Sequence, residues 1–119
     1  MDIFCKIINN EIPSYTIYED EIVKVILDTN QNCIGHSLII PKKHYECILD
    51  IDDETLDHIN KISREIVKLL MNKLNCDGVT LIQNNKYKQE VKHYHLHLMP
   101  KYIEDKELTI KETYELLTK

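Results

Sequence analysis

Glycine is nearly missing from this chain: Gly35 and Gly78 are the only two in 119 residues. Neither a P-loop nor a GxGxxG turn can be written with them, so glycine-built nucleotide cradles are excluded. Tryptophan is absent and phenylalanine occurs once, as Phe4, leaving Ile, Leu, Val and Tyr to fill the interior. No apolar run approaches the roughly 18–20 residues of a membrane span, and Asp2 and Cys5 interrupt any signal-like stretch. The expectation is a cytoplasmic protein with no membrane partner. An excess of positive charge is also lacking, with 15 basic against 20 acidic residues and a net charge of −5. Nucleic-acid binding relies on a basic footprint, so no nucleic-acid partner is expected. A phosphate-bearing substrate would need local donors acting against the overall field. Cys5, Cys33, Cys47 and Cys76 form no CxxC pair. In a reducing compartment they read as free thiols, with metal ligation the main exception.

What remains is an ordinary globular composition, 43% hydrophobic and 29% charged, with no repeat or linker. One domain spanning residues 1–119 is expected. Ile3–Ile8 reads as a short helical turn ending before Pro13. Residues 15–18 and 22–28 suit two strands joined by the polar turn Glu19-Asp20-Glu21. In the second, Val23, Val25 and Leu27 share one face and Ile22, Lys24 and Ile26 the other. A third strand, His36–Ile40, is stopped by Pro41. From Asp53 to Asn75, Leu56, Ile59, Ile62, Ile66, Leu70 and Leu74 recur at helical spacing, with Asp52 or Asp53 as the cap. Residues 79–83 and 93–99 read as two more strands, and Thr109-x-x-Glu112 as a capping box opening a terminal helix. The sum is an α+β fold with an antiparallel sheet.

The chemistry concentrates in His93-Tyr94-His95-Leu96-His97-Leu98-Met99. On a strand, the three histidines would project from one face while Tyr94, Leu96 and Leu98 point into a core. Two chemistries compete. A catalytic metal is geometrically awkward, because His93 and His97 would sit about 13 Å apart along a strand. An HxH pair with a third ligand from elsewhere remains open. The alternative is nucleophilic: neutral imidazole attacks phosphorus well and its adduct is labile to water. One ring nitrogen must then be free and the other hydrogen-bonded to fix the tautomer. His95, the central residue, is the natural nucleophile.

Two further segments and the amino terminus bear on the choice. Asp28–His44, running DTNQNCIGHSLIIPKKH, resembles the DxxPxxPGHxLVIPKxH signature of the histidine-triad (HIT) superfamily. Gln83-Asn84-Asn85 followed by Gln89-Glu90-Val91-Lys92-His93-Tyr94-His95-Leu96-His97 resembles its QNN…GQxVxHxHxHxx block. Ile3–Ser14, IFCKIINNEIPS, is similar to its IFCKIIxxEIPS start. The similarity covers roughly residues 2–103 and looks closest to the Hint-like purine-nucleotide phosphoramidase branch of bacterial type.

That resemblance implies a HIT-like fold, a five-stranded antiparallel sheet with one long helix and short terminal helices, and a homodimer. The implied activity is hydrolysis of a nucleoside monophosphate, AMP or GMP, from an amine or phosphate leaving group. The alternatives are a dinucleoside polyphosphate hydrolase and a non-catalytic nucleotide-binding regulator. His95 would be the nucleophile, the backbone carbonyl of His93 would orient it, His97 would contact phosphate and assist the leaving group, and His36 would support them. Asp28 would bind the ribose; Ile3, Phe4, Ile7 and Ile12 would line the base pocket. Asn84, Gln89 and Glu90 would lie on the phosphate and leaving-group side. Cys5, His44 and His93 match three of four zinc ligands of bacterial-type members, with Asp2 in place of the usual first cysteine. Such a zinc would be structural, and no cofactor would be required for catalysis. The sequence departs from the pattern in a loop shortened to Lys86-Tyr87-Lys88 and lacking glycine. There the two lysines are placed to offer cationic donors where backbone amides would otherwise serve. Gln31 and Ile34 stand where two loop prolines are usual, which bears on rigidity.

Overall fold

The computed structural model describes residues 2–119. Its elements are α1 (Ile3–Ile8), β1 (Thr16–Glu19), β2 (Val23–Leu27), β3 (Ser37–Pro41), α2 (Asp53–Leu74), β4 (Gly78–Ile82), β5 (Leu96–Lys101) and α3 (Ile110–Thr118). The five strands form one sheet in the order β1-β2-β3-β5-β4, antiparallel at every pairing. This is the expected α+β architecture.

The two faces of the sheet follow from strand alternation. Val25 pairs with Ile39, and Ile39 with Leu96; this face carries Val23, Leu27 and Leu98 against α2. The helix presents Ile59, Ile66, Leu70 and Leu74 to it, all buried. At about 1.5–3 kcal/mol for each fully buried aliphatic side chain, that stripe holds α2 in place far more strongly than helix propensity does. Asn75 ends the helix in the left-handed region with φ 53°, and Lys106 Nζ donates to the Leu74 carbonyl at 2.7 Å. At the other end Asp52 occupies the cap position, its carbonyl accepting the Leu56 amide at 3.0 Å but its side chain making no capping bond. Its Oδ1 accepts the Tyr45 hydroxyl at 2.7 Å instead.

The opposite face carries Lys24, Ile26, Leu38, Ile40 and His97. Phe4 and Ile7 of α1 close over Ile26, Leu38 and Ile40 in a second, smaller cluster. Lys24 is buried there, its ammonium donating to the Ile7 carbonyl and to Asn10 Oδ1 at 3.1 and 3.2 Å. A cation at this position ties down the C-terminal end of α1. Thr109 and Glu112 form the reciprocal capping box at the start of α3.

The strand boundaries differ from the sequence expectation, by one residue for β1 to β4 and by more for β5, and two of the differences take in a proline. Pro41 is the last residue of β3, opposite Val23, and Pro100 lies within β5 opposite Val79. More consequentially, β5 begins at Leu96, so only His97 of the three histidines lies in the ladder. Residues 91–93 bend and residues 94–95 belong to no strand, and the Tyr94 amide donates to the Tyr45 carbonyl at 2.7 Å. The side-chain alternation survives, with Tyr94 and Leu98 buried in the α2-side core.

Candidate active site

The bend before β5 separates the three histidines by task. His95 is buried, and its Nδ1–H donates to the His93 carbonyl at 2.7 Å. That bond fixes the tautomer and leaves Nε2 as a bare lone pair. The Phe4 and His97 rings each stand edge-to-face with the His95 ring, 4.8 Å from it centroid to centroid. His97 shares a hydrogen bond with His36, Nδ1 to Nε2 at 2.9 Å, and Asp28 Oδ2 lies 3.9 Å from His36 Nδ1. Cross-strand pairing of His97 with Leu38 and Ile82 sets this row of rings on the face away from α2.

Burial holds all three of these imidazoles in the neutral form. It lowers His95 below the usual 6.5, against the opposing pull of the His93 carbonyl and the Asp28 and Glu90 charges. His97 is pushed down to about 4, by burial first and then by the neighbouring His95 and His36 rings. His36 is also lowered by burial, with Asp28 opposing. A row of neutral imidazoles next to a carboxylate suits nucleophilic attack on a phosphoryl group.

The rings open onto a cleft of about 440 Å³. Seven of the residues singled out in the sequence line it: Asp28, His36, Asn84, Lys88, Glu90, His95 and His97. Gln89 does not. It is buried, its amide donating to the Glu46 carbonyl and its Oε1 accepting the Lys86 amide, so it closes the loop onto the residues before α2. Phe4 and Ile7 are buried under the cleft's edge and Ile12 is half-buried against them, whereas Ile3 is exposed. Of this apolar group, Phe4 packs its ring against His95. Lys86 also points elsewhere, its ammonium 3.2 Å from Glu46 Oε1, while Lys88 lines the cleft.

Four lining residues had no role in the sequence reading: Asn30, Asn32, Cys33 and Met99. Met99 follows His97 by two residues on the same strand and therefore shares its face. The other three belong to the loop between Asp28 and His36, whose ends meet where the His36 carbonyl accepts the Asp28 amide at 2.9 Å. A short loop bounded by two site residues carries its own members to the site. Gln31 braces that loop with three bonds: its amide donates to the Asp28 and His36 carbonyls, and its Oε1 accepts the Gly35 amide. This side chain supplies the constraint that a proline would otherwise give through its ring.

His93 itself turns away from the cleft. Fully buried, it donates Nε2–H to the Pro41 carbonyl at 2.9 Å and aims a bare Nδ1 at Asp2, Cys5 and His44. The Cys5 sulfur lies 3.5 Å from each of His44 Nδ1, His93 Nδ1 and Asp2 Oδ2. The two histidine nitrogens are 3.2 Å apart, and Asp2 Oδ2 is 3.0 Å from His44 and 3.3 Å from His93. Tetrahedral zinc with bonds of roughly 2.0–2.3 Å separates its ligand atoms by about 3.3–3.6 Å. The four donors fit zinc in type and in spacing. The carboxylate is held by its other oxygen, which caps α1 by accepting the Cys5 amide at 2.8 Å, and His93 is oriented by the Pro41 carbonyl.

Comparison with known proteins places this geometry among relatives. The HIT domain family model matches residues 9–104. An uncharacterized HIT-like protein of Methanocaldococcus jannaschii is 44% identical over 110 residues, covering 91% of this chain and 84% of that protein. The adenosine 5'-monophosphoramidase of Saccharomyces cerevisiae is 41% identical over 83% of this chain and 61% of its own length. Among solved structures, a zinc-bound histidine triad family protein from Mycobacterium smegmatis superposes with a TM-score of 0.90 at 31% identity, over 98% of this chain and 89% of that one.

Proposed function

The chain belongs to the HIT domain family, and from that premise we propose that it hydrolyses nucleotides. The bond cleaved joins a nucleoside monophosphate, AMP or GMP, to an amine or phosphate leaving group. The observation that carries the reading is the His95 tautomer. With Nδ1–H committed to the His93 carbonyl, Nε2 is the one nucleophilic atom of a neutral, buried ring on the cleft.

In the first step His95 Nε2 bonds to phosphorus and the bond from phosphorus to the leaving nitrogen or oxygen breaks. The His93 carbonyl stabilises the positive charge that develops on the ring. The leaving atom takes its proton from the His97–His36 pair. An anionic phosphoryl group in the cleft raises the proton affinity of those rings from the low level that burial imposes on them. In the second step water attacks phosphorus and returns a proton to the His97–His36 pair, the P–N bond breaks, and the monophosphate leaves with His95 restored. Asp28 is assigned to the ribose hydroxyls, Asn84 and Glu90 to the phosphate and leaving-group side, and the base to the apolar end formed by Ile3, Phe4, Ile7 and Ile12.

Zinc, held by Asp2, Cys5, His44 and His93, is assigned a structural part, joining the first turn of α1 to the segment before β5. The relative from Mycobacterium smegmatis is zinc-bound. A homodimer and a cytoplasmic location complete the reading. In support of the dimer, β4 is an edge strand with Leu81 and Ile82 exposed. Among the described residues, no helix is long and apolar enough to cross a membrane.

The test is a rapid-quench single turnover with AMP joined to an amine. An acid-labile nucleotidyl adduct should form on the wild type and be lost, together with turnover, in His95→Ala. Turnover above a tenth of wild type in that variant refutes His95 as nucleophile. Nucleotide binding with no adduct and no turnover in the wild type makes the protein a binder instead.

A further inference from the structure

Lys86 and Lys88 both hold left-handed backbones, with φ 66° and 77°, where glycine is the ordinary choice. The surroundings of Lys86 account for its conformation. Its amide bonds Gln89 Oε1, its carbonyl accepts from Gln89 and Lys92, and its ammonium pairs with Glu46. Lys88 has no comparable anchor. Among the described residues its ammonium forms no ion pair, and its recorded companion is the Tyr87 ring, 5.6 Å away at the centroid. Yet Lys88 lines the cleft beside Asn84, Glu90, His95 and His97.

The charge of the cleft wall gives that placement a consequence. Asp28 and Glu90 are its carboxylates, and Lys88 is its single lysine or arginine. The protein as a whole carries −5. A leaving group that is uncharged adds nothing to the repulsion a bound phosphoryl group already meets. A leaving group with its own anion adds a second negative charge on the loop side, where Lys88 is the cation within the cleft that can meet it. Building on the hydrolase reading, we propose that Lys88 is a specificity-determining residue selecting nucleoside monophosphates whose leaving group carries its own anionic group. The shared chemistry is a carboxylate or a phosphate on the departing fragment.

The probes are AMP joined through nitrogen to glycine and to glycinamide, which differ in one charge, together with diadenosine tetraphosphate. The readout is kcat/KM for each charged probe relative to glycinamide. Wild type should favour a charged probe, and raising salt should erode the preference. Lys88→Gln should reduce the ratio about two- to fivefold, in keeping with an exposed ion pair, and Lys88→Arg should retain it. Lys88→Gly relieves the backbone while removing the charge, so it should lose the preference as Lys88→Gln does. A merely structural role would instead leave Lys88→Gly like wild type. Loss confined to the glycine pair assigns a carboxylate, and loss confined to the tetraphosphate assigns a phosphate. An unchanged ratio in Lys88→Gln, with His95-dependent turnover intact, overturns the inference and spares the hydrolase reading. If no probe turns over, the hydrolase reading fails, and calorimetric binding of ADP against AMP in the His95→Ala background decides for Lys88. There Lys88→Gln must weaken ADP selectively; equal effects on both nucleotides overturn the inference.

Discussion

Replacing Gly35 with alanine should destabilise the protein and disturb the site together. Gly35 holds φ +87°, and an added Cβ would lie 2.6 Å from Leu74 Cδ1, 3.0 Å from Pro100 Cγ and 3.5 Å from Leu70 Cδ2. Leu70 and Leu74 are both fully buried in the α2 stripe, so neither has free space to retreat into. A left-handed backbone costs an L-residue about 1–2 kcal/mol, and forcing a methyl into a packed core costs a further 1–3 kcal/mol or so. The alanine's stiffer unfolded chain offsets roughly 0.4–1 kcal/mol of this. The net expectation is a loss of about 2–3 kcal/mol, read as a fall of about 1–2 M in the urea midpoint at unchanged slope. The same movement displaces His36, the next residue, whose ring bonds His97, so kcat/KM should fall as well. Gly78→Ala is the internal control: a Cβ there meets nothing within 4 Å and the residue opens β4, so stability should hold or rise slightly. Unfolding free energies for the two variants within about 0.5 kcal/mol of each other would refute this account of Gly35.

Two further outcomes follow from the site. Because burial lowers His95 below 6.5 and the neutral ring is the reactive one, kcat/KM for an uncharged amine substrate should be flat through pH 7 and fall only below pH 6.5; an acid limb centred above pH 7 would remove His95 from that role. Removing zinc with a chelator should lower the melting temperature while the single-turnover step at His95 persists, and Cys5→Ala should abolish the chelator's effect on melting; lost chemistry in a folded, zinc-free protein, restored by zinc, would reinstate a catalytic metal.

Much of this molecule is legible in its sequence because periodicity reports which face a side chain takes. The Leu and Ile spacing of α2, the Thr109–Glu112 box and the Val23-Val25-Leu27 face all appear where local rules put them. Periodicity does not report whether an extended segment has a ladder partner. His93 and His95 alternate with apolar residues as a strand would, but their segment hangs on a bond from Tyr94 to Tyr45, 49 positions earlier in the chain. Gln89 illustrates another limit. A polar residue beside the histidines reads as a substrate contact, and only the tertiary approach of Glu46 shows that its amide is used up in closing a loop. The left-handed lysines are invisible for a simpler reason: no local rule predicts a lysine at positive φ.

The departure of His93 from the strand face explains how one short motif serves two sites. On an ideal strand its side chain would join the other two, about 13 Å from His97, too far to share a substrate phosphate with it. Bent out of the ladder, His93 gives its backbone carbonyl to His95 and its ring to the cluster with Asp2, Cys5 and His44. Its Nε2–H is fixed on Pro41, the last residue of β3, so the ring is held from the sheet as well as from α1. The carbonyl that sets the His95 tautomer therefore belongs to a residue whose side chain is fully buried, with Nε2–H bonded to the Pro41 carbonyl and Nδ1 facing Asp2, Cys5 and His44. Rigidity at that carbonyl matters because a shift of a few tenths of an ångström lengthens a 2.7 Å bond and frees the ring to turn. In the proposed mechanism, attack by Nε2 thus depends on packing at a residue whose side chain faces away from the cleft.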